Sequence, residues 1–308
     1  MPPKPCKYRA KQQYPKIFCQ KHAEFNFKGS KMARAKYPVK SLIKAMTLLD
    51  AVGKNQEGIS IATLSQELKI GKSTVHRLLA TLRDFNLVCF DPLTSNYSLG
   101  AKILEWSESV TRQNILLRLG IPVVRKLAER SGETVNLAVL DGMEVMYLAQ
   151  QESPSTLRIS PEIGVRLPSH CTALGKIMLS DLSAIEFKDL FDGTVKLNAL
   201  TSNSITDSAQ LWEHLQKVRQ EGVSYDFEEA FEGGICVGAL VRNHSGRGVA
   251  ALSVSMPKQR LNGERLMKIR ESVLDACADL SGQLGYSARH EMPMSELLGE
   301  EAPESTGD

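Results

Sequence analysis

Apolar residues recur at helical spacing in three consecutive stretches near the front of the chain. The first begins at Val39 and stops near Gly53, and the second, 61–69, is preceded by Ser60, a favourable N-cap residue. The third carries the sequence GKSTVHRLLATL, residues 71–82, in which one apolar stripe is formed by Val75, Leu78, Leu79 and Leu82. This pattern predicts three helices that pack through apolar faces, with a tight Gly-containing turn before the third.

A polar face lies opposite the apolar stripe of the third predicted helix. Free amides at a helix N-terminus attract phosphate, and short or forked polar side chains can reach base edges in the major groove. The pattern favours a DNA-reading helix, whose expected contact residues are Lys72, Ser73, Thr74, His76 and Arg77. Two strand-like runs follow, 87–90 and 96–99, and the sequence DPLTS between them predicts a β-hairpin wing. Residues 39–99 are thus predicted to form a winged helix-turn-helix.

DNA binding does not follow from this pattern alone, because many winged helices bind proteins. Residues 39–112 hold nine Lys and Arg against seven acidic residues, which is a weak excess of positive charge for a DNA-binding surface. A winged-helix protein-interaction module with a sensor domain, and without specific DNA binding, therefore stays as the alternative.

The second half of the chain alternates between helix and strand patterns. Residues 100–113 predict a linker helix, and the amphipathic stretch 115–130 predicts a helix that Pro122 kinks or restarts. A β-hairpin with an Asp-Gly turn is predicted over 134–150. Further helices are expected at 172–180, 208–220 and 264–284, and strands at 223–226, 235–242 and 248–256. We predict a second α+β domain, 114–287, with a mixed sheet flanked by helices.

The two ends of the chain differ from its middle in charge. Residues 1–38 hold ten Lys or Arg and one acidic residue, a net charge of +9, whereas the rest holds 28 basic and 34 acidic residues, a net charge of −6. We expect the first segment to be a disordered basic extension, either an arm that touches phosphates or sequence upstream of a start at Met32. The acidic segment 288–308 is expected to be disordered as well.

Composition and motifs narrow the class of protein. With 42% hydrophobic and 24% charged residues the chain is typical of a globular protein, and no apolar run approaches the roughly 18 residues of a membrane span, so we expect a cytoplasmic location. Its six Cys are scattered without a CxxC pair, and we expect no metal and no cofactor. The adjacent His170 and Cys171 are a candidate nucleophilic pair. With no oxyanion-hole, P-loop, GxGxxG or HExxH motif beside them, we expect that the protein is not an enzyme.

Four separated motifs resemble the isocitrate-lyase-regulator (IclR) family of bacterial transcription factors. They are SIATLSQELKIGKSTVHRLLATLRDFNLV in the predicted winged helix and, further on, IGVRLPSHCTALGKIMLS, EGVSYDFEEAFEGGICVGALV and GVAALSVSMP. The resemblance covers about residues 39–286 and implies a GAF-like effector-binding domain after the linker helix. It implies a ligand-responsive regulator of a catabolic operon that binds double-stranded, palindromic operator DNA as a homodimer or homotetramer. The lack of a long apolar run predicts that no membrane is among its partners. We expect repression rather than activation, although no residue determines the sign.

The same resemblance implies which residues line the effector cavity: Ala173, Leu174, Asp226, Cys236, Ser253 and Ser255. Ser253 and Ser255 lie two apart on a predicted strand and share a face, which composition alone would interpret as solvent-facing. Amides at a helix N-terminus, two hydroxyls and a carboxyl suit a small hydroxy or keto acid, or a related aromatic acid.

Two further residues bear on this cavity. The family often has a small residue at the position of Leu174, so its bulk is expected to narrow the cavity. Arg166 either adds positive charge to the region or clamps a structural acid, for which Glu228 and Glu229 are candidates.

Overall fold

The computed structural model describes residues 37–191 and 196–287. The interpretations of the basic segment up to residue 36 and of the acidic segment 288–308 lie outside the described residues. Within the described ranges, no helix is both long and apolar enough to cross a membrane.

The first part of the described chain is a winged helix-turn-helix, as predicted. Its elements are α1 (Lys40–Gly53), α2 (Ile61–Leu68), α3 (Lys72–Asp84), β1 (Val88–Asp91) and β2 (Asn96–Leu99). The stripe on α3 packs inward with Val75, Leu79 and Leu82 buried and Leu78 half-buried. β1 and β2 pair antiparallel as the wing, and Tyr97 of β2 joins the same core.

The glycine in the turn between α2 and α3 is not the residue that adopts the left-handed backbone conformation. The residue in the left-handed backbone region is Lys69, at φ 53°, whereas Gly71 has φ −57° and serves as the N-cap residue of α3. The hydroxyl of Ser65 donates to the carbonyl of Ile70 at 2.6 Å and closes this turn. Helix α1 buries only part of its predicted apolar face. Its buried residues are Leu48, Leu49 and Val52, whereas Leu42, Ile43 and Met46 remain exposed.

Two consecutive helices lead into the second part of the chain. They are α4 (Lys102–Gln113) and α5 (Ile115–Ser131), separated by Asn114, whose side chain accepts from the amides of Leu116 and Leu117 and caps α5. The expected restart at Pro122 is wrong, because α5 continues through this residue without a break. Burial of Val123, Val124 and other apolar residues of α5 in the domain core offsets the hydrogen bond that proline cannot donate.

The second part is built on a six-stranded sheet with the order β5-β4-β3-β8-β7-β6. Its strands are β3 (Thr134–Asp141), β4 (Glu144–Gln151), β5 (Arg166–Pro168), β6 (Val223–Phe227), β7 (Gly234–Arg242) and β8 (Gly248–Pro257). All five neighbouring pairs are antiparallel, so the expectation of a mixed sheet is wrong. Short connections join β3 to β4, β6 to β7 and β7 to β8, and such connections require antiparallel neighbours.

Helices cover both faces of this sheet. They are α5, α6 (Ala173–Ser180), α7 (Ala184–Leu190), α8 (Ser208–Glu221) and α9 (Gly263–Gln283), with 3-10 turns at Ser169–Cys171 and Lys258–Arg260. The period-2 alternation of β8 separates the faces. Leu252 and Val254 belong to the core under α5 and α9, whereas Ala251 belongs to the core under α6. Ser253 and Ser255 share the face of Ala251, which places both hydroxyls under α6.

Candidate functional site

The first half of α3 presents the five predicted DNA-contact residues on the outside of the winged helix. Lys72, Ser73, His76 and Arg77 are exposed, and Thr74 is half-buried. Their side chains form no hydrogen bond or ion pair with other described residues, so their polar groups are free to contact another molecule.

The N-terminus of α3 is suited to an anion. The N-cap residue Gly71 offers no side chain to its amides, and the first helical hydrogen bond runs from the amide of Thr74 to the carbonyl of Gly71 at 2.9 Å. The amides of Lys72 and Ser73 precede that bond, and the first turn contains no acidic residue. Partial positive charge from the helix end therefore adds to the charge of Lys72.

The wing lacks basic side chains. Residues 88–99 contain no Lys or Arg. The Asp91 carboxylate holds the hairpin turn, because it accepts from the Leu93 amide at 2.9 Å and from the Thr94 hydroxyl at 2.7 Å. Among these elements, the predicted DNA-contact residues all lie on α3.

In the second domain, a single cavity brings together all six residues expected to line an effector site. The walls include Ala173 and Leu174 at the start of α6, together with side chains from three strands: Asp226, Cys236, Ser253 and Ser255. The strand register explains this convergence, since Asp226 is opposite Cys236 and Cys236 is opposite Ser255. The composition-based interpretation of the two serines is wrong, because Ser253 and Ser255 are only 1% and 3% exposed under α6.

Two close backbone approaches allow α6 to pack against the sheet and against the 3-10 turn that precedes it. A Cβ on Gly238 would come within 3.1 to 3.3 Å of Ala173, and a Cβ on Gly175 would overlap the backbone of Ser169 at 2.1 Å. The Ser224 hydroxyl donates to the Ala173 carbonyl at 2.5 Å and ties the first residue of the helix to β6. The amide of Gly175 is already used by the Thr172 hydroxyl, so Ala173 and Leu174 offer the amides nearest the cavity.

A buried polar network supports the two serines from the neighbouring strands. The Asn136 amide group donates to Ser255 Oγ at 3.2 Å and to Ser253 Oγ at 3.4 Å, and its oxygen accepts from Gln150 at 2.8 Å. The Cys236 thiol donates to Ser255 Oγ at 3.2 Å. Because both serine oxygens accept these bonds, their hydroxyl hydrogens are available to a ligand.

A buried ion pair beneath α6 places two charged groups beside the cavity. The Lys176 side chain is fully buried, and its ammonium donates to Glu229 Oε1. Asp226 lies beside this pair, and its Oδ1 accepts from the amides of Glu229 at 2.7 Å and Ala230 at 3.3 Å. Lys176 and Glu229 largely neutralise each other, so the protonation of Asp226 decides the charge of the site.

Burial determines the protonation states around the cavity. It raises the pKa of Asp226 to about 7, while hydrogen bonds from the backbone and the charge of Lys176 oppose the rise. Burial likewise raises the pKa values of Tyr147, Glu229 and Cys236. Near neutral pH Asp226 can therefore act either as a hydrogen-bond donor or as an acceptor.

His170 and Cys171 both lie against the backbone carbonyl of Asn198. The His170 ring donates from Nε2 to the Asn198 carbonyl at 3.1 Å, and the Cys171 thiol lies 3.9 Å from the same oxygen. Burial raises the pKa of Cys171 to about 11, so the nucleophilic thiolate is disfavoured.

Arg166 lies outside the effector cavity. Its guanidinium pairs with Asp141 and contacts the sulfur of Met146 at 3.4 Å. The suggested partners Glu228 and Glu229 pair instead with Lys258 and Lys176. Arg166 therefore clamps a structural acid, as expected, but the suggested partners and the alternative role in the cavity are wrong, because β5 places this residue beside β4 at the far edge of the sheet.

Comparison with known proteins decides the family. The family model described as "IclR helix-turn-helix domain" matches residues 41–92. The model described as "Bacterial transcriptional regulator IclR C-terminal" matches residues 108–282, more than half of the chain. The chain belongs to the IclR family. It is a DNA-binding, ligand-responsive transcriptional regulator with a winged helix-turn-helix followed by an effector domain.

Named relatives of this IclR-family chain are regulators as well. The HTH-type transcriptional regulator KdgR of Escherichia coli K12 is 32% identical over 83% of this chain and 95% of its own length. The transcriptional repressor IclR of the same organism is 30% identical over 82% of this chain and 94% of its own. The crystal structure of Thermotoga maritima IclR superposes with a TM-score of 0.69 at 26% identity, covering 80% of this chain and 99% of that one.

Further residues, which the sequence did not single out for this role, surround the candidate cavity. Asn136, Gln150, Lys176 and Glu229 form the polar surroundings of the cavity, and the apolar part of its wall includes Tyr147. A polar residue inside an otherwise apolar strand, such as Asn136 in TVNLAVL, was the available signal. Lys176 gave a similar signal, since it lies within the apolar helix sequence ALGKIML.

Proposed function

We propose that this IclR-family regulator represses transcription by binding a palindromic operator, and that a small organic acid in the cavity beneath α6 controls this binding. The proposed DNA contacts are Lys72, Ser73, Thr74, His76 and Arg77. The single observation that carries the effector proposal is the convergence of the six cavity residues with unused hydroxyl and amide donors. A cytoplasmic location and the absence of enzymatic activity are part of this proposal.

On the DNA side, the proposal rests on the free polar face of α3. Lys72 and the first amides of the helix meet a phosphate, while Arg77, one turn further on, pairs with a guanine edge. Ser73, Thr74 and His76 lie around Arg77 and contribute shorter contacts. The free side chains are consistent with this arrangement, because no side-chain hydrogen bond or ion pair to another described residue must be broken first.

Palindromic recognition requires two copies, and the exposed apolar residues of the first domain support a homodimer. Val39, Leu42, Ile43 and Met46 form a stripe on and just before α1, and each is 50% to 60% exposed. On α4, which has no buried residue, three further large apolar side chains are exposed: Leu104, Trp106 and Val110. Apolar stripes of this kind are typical of protein interfaces. Pairs of dimers would give the homotetramer that the sequence resemblance implies.

On the effector side, the proposal assigns each part of the ligand to a partner. The amides of Ala173 and Leu174 bind the carboxylate, and the hydroxyls of Ser253 and Ser255 donate to it. Asp226 contacts a hydroxyl or keto group, as an acceptor when ionised and as a donor when protonated. Cys236 completes the wall. A small hydroxy, keto or aromatic acid matches these partners.

The cavity is so small that a ligand can enter only if the residues of its wall move. Its volume is about 10 Å³, roughly the space for one water molecule, so an organic acid must displace part of the wall. Leu174 is only 2% exposed and contributes to this narrowness, along with Ile159, Pro161 and Phe231 of the wall. A ligand that separates α6 from its neighbours changes the relative stability of two domain conformations, and this difference can alter DNA affinity through α4 and α5.

Fluorescence anisotropy of the full chain on the DNA flanking its own gene tests both halves of the proposal. We expect saturable binding that outcompetes random DNA and is shifted by one of a panel of hydroxy, keto and aromatic carboxylates. Asp226→Ala should blunt that shift and leave DNA affinity unchanged. Specific binding that no acid alters would reject the ligand class, and an unchanged dose response of Asp226→Ala would reject the cavity assignment. Absence of any specific complex would favour the protein-interaction interpretation.

A further inference from the structure

A second cavity lies at the opposite end of α6 from the effector cavity. Its volume is about 360 Å³, which falls within the range of sites for small organic ligands. The effector cavity includes the first residues of α6, Ala173 and Leu174, whereas the second cavity includes Ile177, Ser180 and the following Asp181. The two cavities share no lining residue.

The floor of the second cavity is apolar and comes from four elements. Its residues are Ile177 on α6, Val218 on α8, Ala239 and Leu240 on β7, and Leu274 and Cys277 on α9. The Cys277 thiol donates to the Ala239 carbonyl at 3.3 Å, and burial raises the pKa of this thiol to about 12. Cys277 is therefore neutral, and the floor suits a hydrocarbon or aromatic group.

The rim of the same cavity is polar and carries positive charge. Arg242 donates from Nη1 to Asp181 Oδ1 and to the Gly246 carbonyl, both at 2.7 Å. The other Asp181 oxygen accepts from the Gly248 amide at 2.9 Å, so both carboxylate oxygens have partners. Two guanidiniums and one carboxylate leave a formal charge of +1 at the rim.

Both rim guanidiniums keep unused donors. Arg219 donates from Nε to the Ser180 carbonyl at 2.6 Å and from Nη2 to the Leu182 carbonyl at 2.5 Å, which holds the side chain in place. Its Nη1 and the Nη2 of Arg242 have no partner among the described residues. Tyr286, also in the cavity wall, has a hydroxyl without a partner among those residues. Fixed guanidiniums with free N–H groups are well suited to bind a carboxylate.

We propose that this second cavity is a ligand site for a monocarboxylate with an apolar body, separate from the effector cavity. The apolar body lies on the floor between β7 and α9, and the carboxylate accepts from Arg219, Arg242 and Tyr286 at the rim. The proposal does not depend on the effector assignment, because it uses none of the same residues.

Isothermal titration calorimetry of the full chain with 3-phenylpropionate tests this proposal. We expect Ala278→Phe, which places a ring at the exposed rim of the cavity on α9, to weaken binding at least tenfold. Glu271→Phe, an exposed position on the same helix outside the cavity, is the matched control and should change the affinity less than twofold. Leu174→Phe, which fills the other cavity, should also leave the affinity unchanged. The milder Ala278→Leu replaces Ala278→Phe if the latter does not fold.

The neutral analogue 3-phenylpropanol separates the charge from the apolar body. We expect it to bind at least tenfold more weakly than the acid, because it lacks the carboxylate that the guanidiniums bind. Equal affinity for the alcohol and the acid would overturn the proposal. So would unchanged affinity in both Ala278 variants, a loss of binding in Leu174→Phe alone, or no heat of binding up to about 10 mM acid.

Discussion

Replacing Asp226 by Asn is expected to remove a pH dependence of stability that the buried carboxyl creates. Burial raises the pKa of Asp226 from 3.8 to about 7, so the folded chain keeps a proton that the unfolded chain releases above about pH 4. Stability contributed by the protonated group is complete below pH 4 and is lost as the pH rises towards 7. The difference between the two pKa values corresponds to about 4 kcal/mol in total.

The Asn variant keeps an oxygen that can accept from the amides of Glu229 and Ala230, but it does not titrate. The charged and titratable groups around Asp226 stay the same in both proteins. They are Lys176 on α6, its ion-pair partner Glu229, Tyr147 on β4 and Cys236 on β7. The unaltered chain loses about 3 kcal/mol of folding stability between pH 5 and pH 8, and the variant does not. The stability of the variant relative to the unaltered chain should therefore rise by about that amount over this interval.

Thermal unfolding at pH 5 and pH 8 measures this change. We expect the difference in Tm between variant and unaltered chain to increase by on the order of 6–12 °C from pH 5 to pH 8. Asp50→Asn, at an exposed position of α1 whose carboxylate has no hydrogen bond or ion pair among the described residues, is the control and should show a constant difference. A constant difference for Asp226→Asn as well would refute the reasoning, because it would mean that the folded carboxyl is already ionised at pH 5.

The same carboxyl should make effector binding depend on pH. An anionic effector should bind more weakly above pH 7 to the unaltered chain, where Asp226 is ionised, but not to the Asn variant.

Four further changes test other parts of the molecule. Arg77→Ala should weaken operator binding by about 1–3 kcal/mol in anisotropy titrations, whereas the same change at Arg83, at the far end of α3, should matter much less. Leu174→Ala should enlarge the effector cavity, lower stability by about 2–5 kcal/mol in urea unfolding and admit bulkier acids; no gain in their affinity would contradict this. Ile43→Asp should shift sedimentation equilibrium towards monomer, and an unchanged mass would exclude α1 from the interface. Gly175→Ala should lower Tm by several degrees, because its Cβ would overlap the Ser169 backbone.

Much of the secondary structure was predictable because its signals are local. The stripe on α3, the Asp-Gly hairpin of β3 and β4 and the Gly222 end of α8 each depend on residues a few positions apart. Two short elements escaped this reasoning. The strand β5 has three residues and too little pattern to recognise, whereas α7 carries a capping box, Ser183 with Glu186, that the sequence did display.

The candidate sites divide along the same line. The predicted DNA-contact residues all lie between positions 72 and 77 of one helix, opposite its apolar stripe, so periodicity alone was enough to group them. The effector residues were grouped only through the family resemblance, since Asp226 and Ser255 lie on strands that are not neighbours. Arg166 shows the limit of that approach, because its position inside a matched motif suggested a role in the cavity that the strand order excludes.

By itself, the sequence predicted the winged helix-turn-helix and most helices and strands of the part of the chain that follows it. These follow from hydrophobic periods of 3.6 and 2 residues and from cap and turn residues, which act within one element. Only the tertiary structure decided that the sheet is antiparallel throughout and that Asn136 supports Ser255, 119 residues away. It also decided that Lys176 neutralises Glu229 beside Asp226. Pairing, burial and pKa depend on neighbours distant in the chain, and no local pattern specifies which distant strand or charge will be adjacent.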